Sequence, residues 1–207
     1  YYLAGLVNLL IAAIGTFLLL RLATGDTLAS LFGALVFAYC GFHAAWFYWP
    51  HVLSSIWIPW LLFSVARYLE NGRPSQLPAI ALVSALMLLG GFPSVAVFGF
   101  GAACLLLLIH LLHSGHWLRL LWVLLCFGAG FALTLVTLWP LIEQLQHAGV
   151  GYRRGGTILR LTDFALFVDP EYKGQPRVET TVYFGRPALA LALLAVLGYW
   201  FGWLRGH

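Results

Sequence analysis

Residues Trp46 to Trp60 read WFYWPHVLSSIWIPW, five tryptophans or tyrosines set around two prolines and a histidine, inside a chain that is otherwise almost continuous lipid-soluble helix. Aromatic side chains with one polar edge settle at the headgroup level of a bilayer, whereas proline and histidine beside a hydrocarbon core need a structural or chemical reason. The stretch therefore marks a membrane-water interface with something built into it.

The rest of the chain agrees. Of its 207 residues, 62% are hydrophobic and 9% charged, and the mean hydropathy is +0.91. Soluble domains are roughly 45–50% apolar and about 25% charged, so the composition predicts an all-α, polytopic transmembrane helical bundle. The net charge of +4 could suit nucleic acid, but the basic residues are scattered at segment ends rather than clustered on one face, so no nucleic-acid partner is expected. Cys40, Cys104 and Cys126 each fall inside an apolar segment and read as small core hydrophobes. The chain opens at Tyr1 with the apolar pattern already running at Leu3 and no basic leader or cleavage site before it, which predicts a fragment of a longer protein.

A crossing takes about 20 apolar residues. Such stretches occur at 2–20, 28–47, 52–69, 95–113, 117–139 and 183–203, with a shorter one at 77–91, giving about six or seven membrane helices. Gly90-Gly91-Phe92-Pro93-Ser94 separates the short stretch from the next, because proline cannot donate to the helical ladder and paired glycines loosen it. Either 77–113 crosses twice through a tight turn, or part of it is re-entrant. The domain reading is 1–139 as membrane helices with an aromatic interfacial turn at 43–51 and a helix break at 90–94, 140–182 as a loop, and 183–207 as the last membrane helix.

If 77–113 crosses twice, Arg21, Arg67, Arg73, Arg119 and Arg205 fall on one face, which the excess of cations in short loops makes cytoplasmic. The aromatic turn, the break and the segment 140–182 then reach the extracytoplasmic side. The expected location is a multi-pass protein of the bacterial cytoplasmic membrane. At the cytoplasmic ends, Asp26 is placed to cap the helix that begins near Thr27, while Arg67 and Arg119 should snorkel to the surface.

Candidate chemistry gathers on the opposite face. His43 and His51 flank the aromatic turn, and His147 follows Glu143. Three histidines and a carboxylate could bind a divalent metal such as zinc, but no spacing matches the compact ligand pairs of metal sites, and none is assigned. The alternatives are interfacial histidines bonded to water, or a histidine that contacts an anionic phosphate or moves a proton near neutral pH. Glu143 at a helix end, followed by Arg153 and Arg154 in a glycine-flanked loop, suits a lipid-linked phosphate, since guanidinium groups grip phosphate oxygens bidentately. Contact of a solvated basic loop with headgroups is the plainer reading. Asp163, Asp169 and Glu171 alternate with apolar residues as in a segment lying on the membrane. Phosphate-loop, nucleophile-elbow, paired CxxC and HExxH motifs are absent from the sequence.

The order ASLFGALVFAYCGF, WIPW, LLGGFPSVAVFGF, LWPLIEQ, YRR, VDPEYKG and VYFGRPALALALLAVLG resembles bacterial YfhO-type membrane proteins, within the GT-C class of polytopic glycosyltransferases. The matching positions are Cys40-Gly41-Phe42, Gly91-Phe92-Pro93-Ser94, Pro140 with Glu143, Arg153, Pro170 with Tyr172 and Gly174, and Tyr183 with Gly185. The chain departs from that pattern at Gly151, where the family tends to carry Ser, and at Lys173. The resemblance implies a GT-C-like bundle that transfers a sugar from a polyprenyl-phosphate donor to a cell-envelope glycan or lipid outside the cytoplasmic membrane. Its partners would be membrane lipid, the polyprenyl-linked sugar and the glycan acceptor, and its catalytic acidic residue would precede Tyr1. His43, His51, Glu143, Arg153 and Arg154 would then surround the donor phosphate or the acceptor. A transporter or flippase of a lipid-linked or small substrate is the alternative, with the 90–94 break as a discontinuous helix; a non-catalytic scaffold is the third reading.

Overall fold

A computed structural model describes residues 2–147, the side chains of 141, 142 and 144–147 excepted. Among the described residues every regular element is helical: α1 (Tyr2–Thr24), α2 (Thr27–Ala38), α3 (Gly41–Ala45), α4 (Pro50–Ser55), α5 (Ile58–Asn71), a 3-10 turn (Pro74–Gln76), α6 (Leu77–Leu89), α7 (Pro93–Ser114) and α8 (Trp117–His147). Five spans within them are long and apolar enough to cross a membrane: Tyr2–Thr24, Thr27–Ala45, Pro50–Asn71, Pro93–Ser114 and Trp117–Pro140. Pro74–Leu89 adds a shorter apolar stretch. The chain is built as a multi-pass membrane protein, and its outer surface carries large apolar side chains such as Leu28, Leu112 and Val136, where a water-soluble bundle would carry charges.

The helix ends follow from local chemistry. Asp26 accepts a hydrogen bond from the Ala29 amide at 2.7 Å and so caps α2 as the sequence predicts. Gly72 ends α5 in the left-handed conformation, φ +63°, and Arg119 of α8 donates to the Leu69 carbonyl. That bond satisfies one of the last carbonyls of α5 and sets a cation at the negative end of the helix. Arg119 is thus tied to a neighbouring helix, which simple snorkelling to the surface does not describe. Arg67 lies over the Phe63 ring at 5.7 Å.

Two of the stretches that read as continuous are interrupted. The span Thr27–Ala45 breaks at Tyr39 and Cys40, between α2 and α3, and Pro50–Asn71 breaks at Ile56 and Trp57, between α4 and α5. Pro59 explains the second break: without an N–H, and with its ring against the carbonyl four residues back, it cannot lie inside a helix running on from Ser55, yet it fits the first turn of a new one. Pro50 and Pro93 open α4 and α7 in the same manner. The opposite happens at Pro140, where α8 continues to His147. Membrane helices tolerate an internal proline when the freed carbonyl finds another partner, so the first part of the segment expected as a loop is helical.

α5, α6, α7 and α8 share the main core. Leu61, Val65 and Tyr68 meet Ile80 and Met87, Ala103 and Leu107, and Val123, all nearly inaccessible. α1 packs on α2 and α5, and α6 on α8. Close approach depends on small residues, as membrane packing requires: a Cβ on Gly130 of α8 would stand 2.6 Å from Ser84 Cβ of α6.

These contacts fix the order of passes. Phe47 lies on Gly5 and Trp60 on Gly15, so α1 and α5 both run away from the aromatic turn. α6 begins beside the end of α5 and returns to it, where Gly90 meets Ser54. α7 leaves again, and Arg119 at the start of α8 reaches Leu69. The stretch 77–113 therefore runs as two antiparallel helices joined by a tight turn, α6 being the shorter. The aromatic turn, the break at 90–92 and the far end of α8 share one end of the bundle; Arg21, Arg67, Arg73 and Arg119 share the other.

Candidate functional site

The aromatic end is assembled around the short helix α4. Gly90 passes so close that a Cβ would stand 2.6 Å from both the amide nitrogen and Oγ of Ser54. The Phe92 amide, left without a helical acceptor at the break, donates to Ser54 Oγ at 3.2 Å. Gly91 takes φ +84°, open to glycine and strained for other residues, which lets the chain reverse over α4. The break and the aromatic turn, far apart in sequence, thus form one structure.

His51, in the first turn of α4, is the product of that junction. Its ring stacks on Trp46 with centroids 3.9 Å apart and an interplanar angle of 22°, and Phe92 covers the other side at 3.5 Å. Trp49 adds an edge at 6.4 Å. His51 Nδ1 is enclosed without a hydrogen-bond partner among the described residues. Tyr48, at the exposed tip of the turn, lies edge-on to Tyr2 at 6.0 Å. Its phenol is pushed above the ordinary range by loss of solvation and then by the neighbouring Tyr2 hydroxyl.

His43 has a different setting. It is 1% exposed, on α3, and its Nδ1 faces the carbonyl oxygens of Phe37 at 2.9 Å and Ala38 at 3.2 Å. Those carbonyls belong to the last turn of α2, where helical donors run out, so the imidazole caps α2. Nε2 stands 2.9 Å from Ser55 Oγ in the last turn of α4. One ring therefore joins three helices. Phe37 packs edge-on against it at 4.9 Å.

A cavity of about 500 Å³ opens beside this pair. Gly33, Val36 and Phe37 of α2, and Val95 and Phe98 of α7, supply apolar walls, and His43 and Ser55 lie at one end. Its size falls in the range of about 300–1,000 Å³ typical of small-molecule sites, as does its pattern of apolar lining with few polar groups.

His43 on α3 and His51 on α4 thus sit in separate environments, one satisfied by protein and the other without a hydrogen-bond partner at Nδ1 among the described residues. Glu143 is exposed on α8, at the same end of the bundle. His147 ends that helix, while Arg153, Arg154, Asp163, Asp169, Glu171 and the expected helix 183–203 lie outside the described residues. Among the described residues no group of three His, Cys, Asp or Glu gathers as a metal site. Cys40 and Cys126 are buried and Cys104 exposed, all as free thiols.

Sequence reasoning missed Ser54 and Ser55. Two adjacent hydroxyls in an apolar run were the available signal, since buried polar groups in a membrane need partners. Their partners lie across two helix breaks, which spacing alone does not show. No family model, curated protein or solved structure matches the chain.

Proposed function

We propose that the chain is the membrane portion of a GT-C-like glycosyltransferase, which passes a sugar from a polyprenyl-phosphate donor to an envelope glycan or lipid at the extracytoplasmic face of a bacterial cytoplasmic membrane. The observation that supports this reading most is His51. An imidazole held between Trp46 and Phe92, with an enclosed nitrogen lacking a partner among the described residues, is a polar group kept where hydrocarbon would otherwise pack. It stands at the end of the bundle that also carries Glu143, ten residues before Arg153 in the sequence. Aromatic faces at headgroup level suit an amphiphile with its chain among helices and its phosphate at the surface, where the arginine pair would meet it.

The test is mass spectrometry of envelope glycans and lipid-linked sugars from cells lacking the full-length gene and complemented with wild type, His51→Phe, Glu143→Gln or Arg153→Ala. The expected result is loss of one glycan decoration with build-up of its polyprenyl-linked donor, restored by wild type and not by the variants. Unchanged glycans in the deletion strain would sink the reading.

A second reading, transport of a lipid-linked or small substrate, is favoured by the breaks at Tyr39–Cys40, Ile56–Trp57 and Gly90–Phe92. Discontinuous helices expose backbone groups that line substrate paths in transporters. Movement of a labelled substrate across proteoliposomes holding the full-length protein, without sugar transfer, is its signature.

A further inference from the structure

We infer that the cavity beside His43 and Ser55 is a binding site for an uncharged, hydroxyl-headed hydrocarbon, whose hydroxyl donates to Ser55 Oγ while its chain lies between α2 and α7. The inference goes beyond sugar transfer and does not depend on it. It starts from the only proton arrangement that the neutral imidazole allows. Nδ1 faces two carbonyl oxygens, at 2.9 and 3.2 Å, and carbonyls only accept, so Nδ1 carries the proton. Nε2 is then an acceptor, and the one proton of the Ser55 hydroxyl is shared between it, at 2.9 Å, and the Val52 carbonyl oxygen, at 3.1 Å, so it is used within the protein. The lone pairs of Ser55 Oγ remain, and they can only accept. The polar end of the cavity therefore calls for a donor.

The walls describe the remainder of the ligand. Ser55 closes the end nearest the aromatic turn, while Val36 and then Gly33 recede from that turn along α2, and Phe98 of α7, 75% exposed, stands on the lipid-facing side. A molecule lying here has its head near headgroup depth and its tail toward the bilayer centre, the orientation a membrane amphiphile already has. A phosphate or carboxylate is disfavoured, because among the described residues the site supplies no cation and no free donor stronger than the Cys40 thiol, and a desolvated anion without them is costly. Water is a poor occupant as well: it needs two to four polar partners, and the walls apart from His43 and Ser55 are almost wholly apolar.

The experiment uses the full-length protein in lipid nanodiscs and a photoreactive hexadecanol carrying a diazirine on its chain, with peptide mapping of the adducts. Labelling is expected on peptides containing Val36 and Phe98. Unlabelled hexadecanol should compete at about fivefold lower concentration than its methyl ether, which has the same chain and oxygen but cannot donate; that ratio is the worth of one hydrogen bond. This comparison needs no variant. Val36→Trp, which puts a large side chain into the cavity wall, should remove the labelling. A diacylglycerol competing better than hexadecanol would assign the site to glycerolipids, and the reverse order would assign it to single-chain alcohols; either supports a hydroxyl-headed ligand. Equal competition by alcohol and ether in the wild type, or better competition by hexadecanoic acid, would overturn the inference.

Discussion

A single imidazole shows how much a membrane interior asks of its polar residues. His43 is buried where a lone polar group would be costly, and it is stable there because each ring nitrogen has a partner within the protein. His43→Phe keeps an aromatic ring of similar size but withdraws the proton from the Phe37 and Ala38 carbonyls and the acceptor from Ser55. It should lower stability by roughly 1–3 kcal/mol, the cost of leaving buried polar groups unmade, read as a lower thermal midpoint in detergent. His43→Ala should cost more, since it adds a void to the same losses. If Phe and wild type melt together, the bonds at His43 are worth little and packing alone accounts for its burial. Arg119 offers a smaller case. Arg119→Met retains the stem and loses the bond to the Leu69 carbonyl, so a loss of about 1 kcal/mol is expected, measurable in the same melt.

At the scale of elements, Gly90 at the break between α6 and α7 is required by contact rather than by its own backbone conformation. Gly90 has ordinary helical dihedrals, φ −57° and ψ −14°, so alanine suits its backbone; what alanine cannot do is fit against Ser54, 2.6 Å from the Cβ it would carry. Gly90→Ala should therefore destabilise by about 1–3 kcal/mol, as overpacking does. Gly101→Ala, in α7 with open space around the same position, should be neutral or stabilising by up to about 1 kcal/mol from helix propensity. Comparing the two by reversible unfolding in mixed micelles separates contact from propensity; equal effects would mean that the α4 contact does not constrain the break. The same elements show what could be read in advance. Apolar length alone announced the membrane helices, and the paired glycines before Pro93 announced the break. The interruptions at Tyr39–Cys40 and Ile56–Trp57 escaped because hydropathy is blind to a helix that stops and restarts within one apolar run. Pro59 was the visible clue to one of them. The site was legible only as a neighbourhood: the aromatic turn marked His43 and His51, but that one is satisfied by Ser55 while the other is sandwiched with Phe92 depends on the path of the chain over α4.

The whole molecule is polarised, and the polarity yields a topology that can be checked. Arg21, Arg67, Arg73 and Arg119 lie at one end, while the end with Trp46, Tyr48, Trp49 and Phe92 has no Lys or Arg in its short connections. Cations in short loops are retained on the cytoplasmic side, so the arginine end should face the cytoplasm and the aromatic end the exterior. Two exposed positions report on this: Tyr48 in the turn between α3 and α4, 63% exposed, and Ser75 in the turn before α6. The native thiols are poor reporters, because Cys40 and Cys126 are buried and Cys104 lies in the middle of α7, within a span apolar enough to cross the membrane, away from a water-borne reagent. A membrane-impermeant maleimide added to intact cells should label Tyr48→Cys and not Ser75→Cys, and permeabilisation should make Ser75→Cys reactive. The reverse pattern would invert the protein and move His51 and Glu143 to the cytoplasmic face, where a donor presented from outside could not meet them. Labelling of both positions in intact cells would contradict a membrane crossing by the span Pro50–Asn71, which separates them.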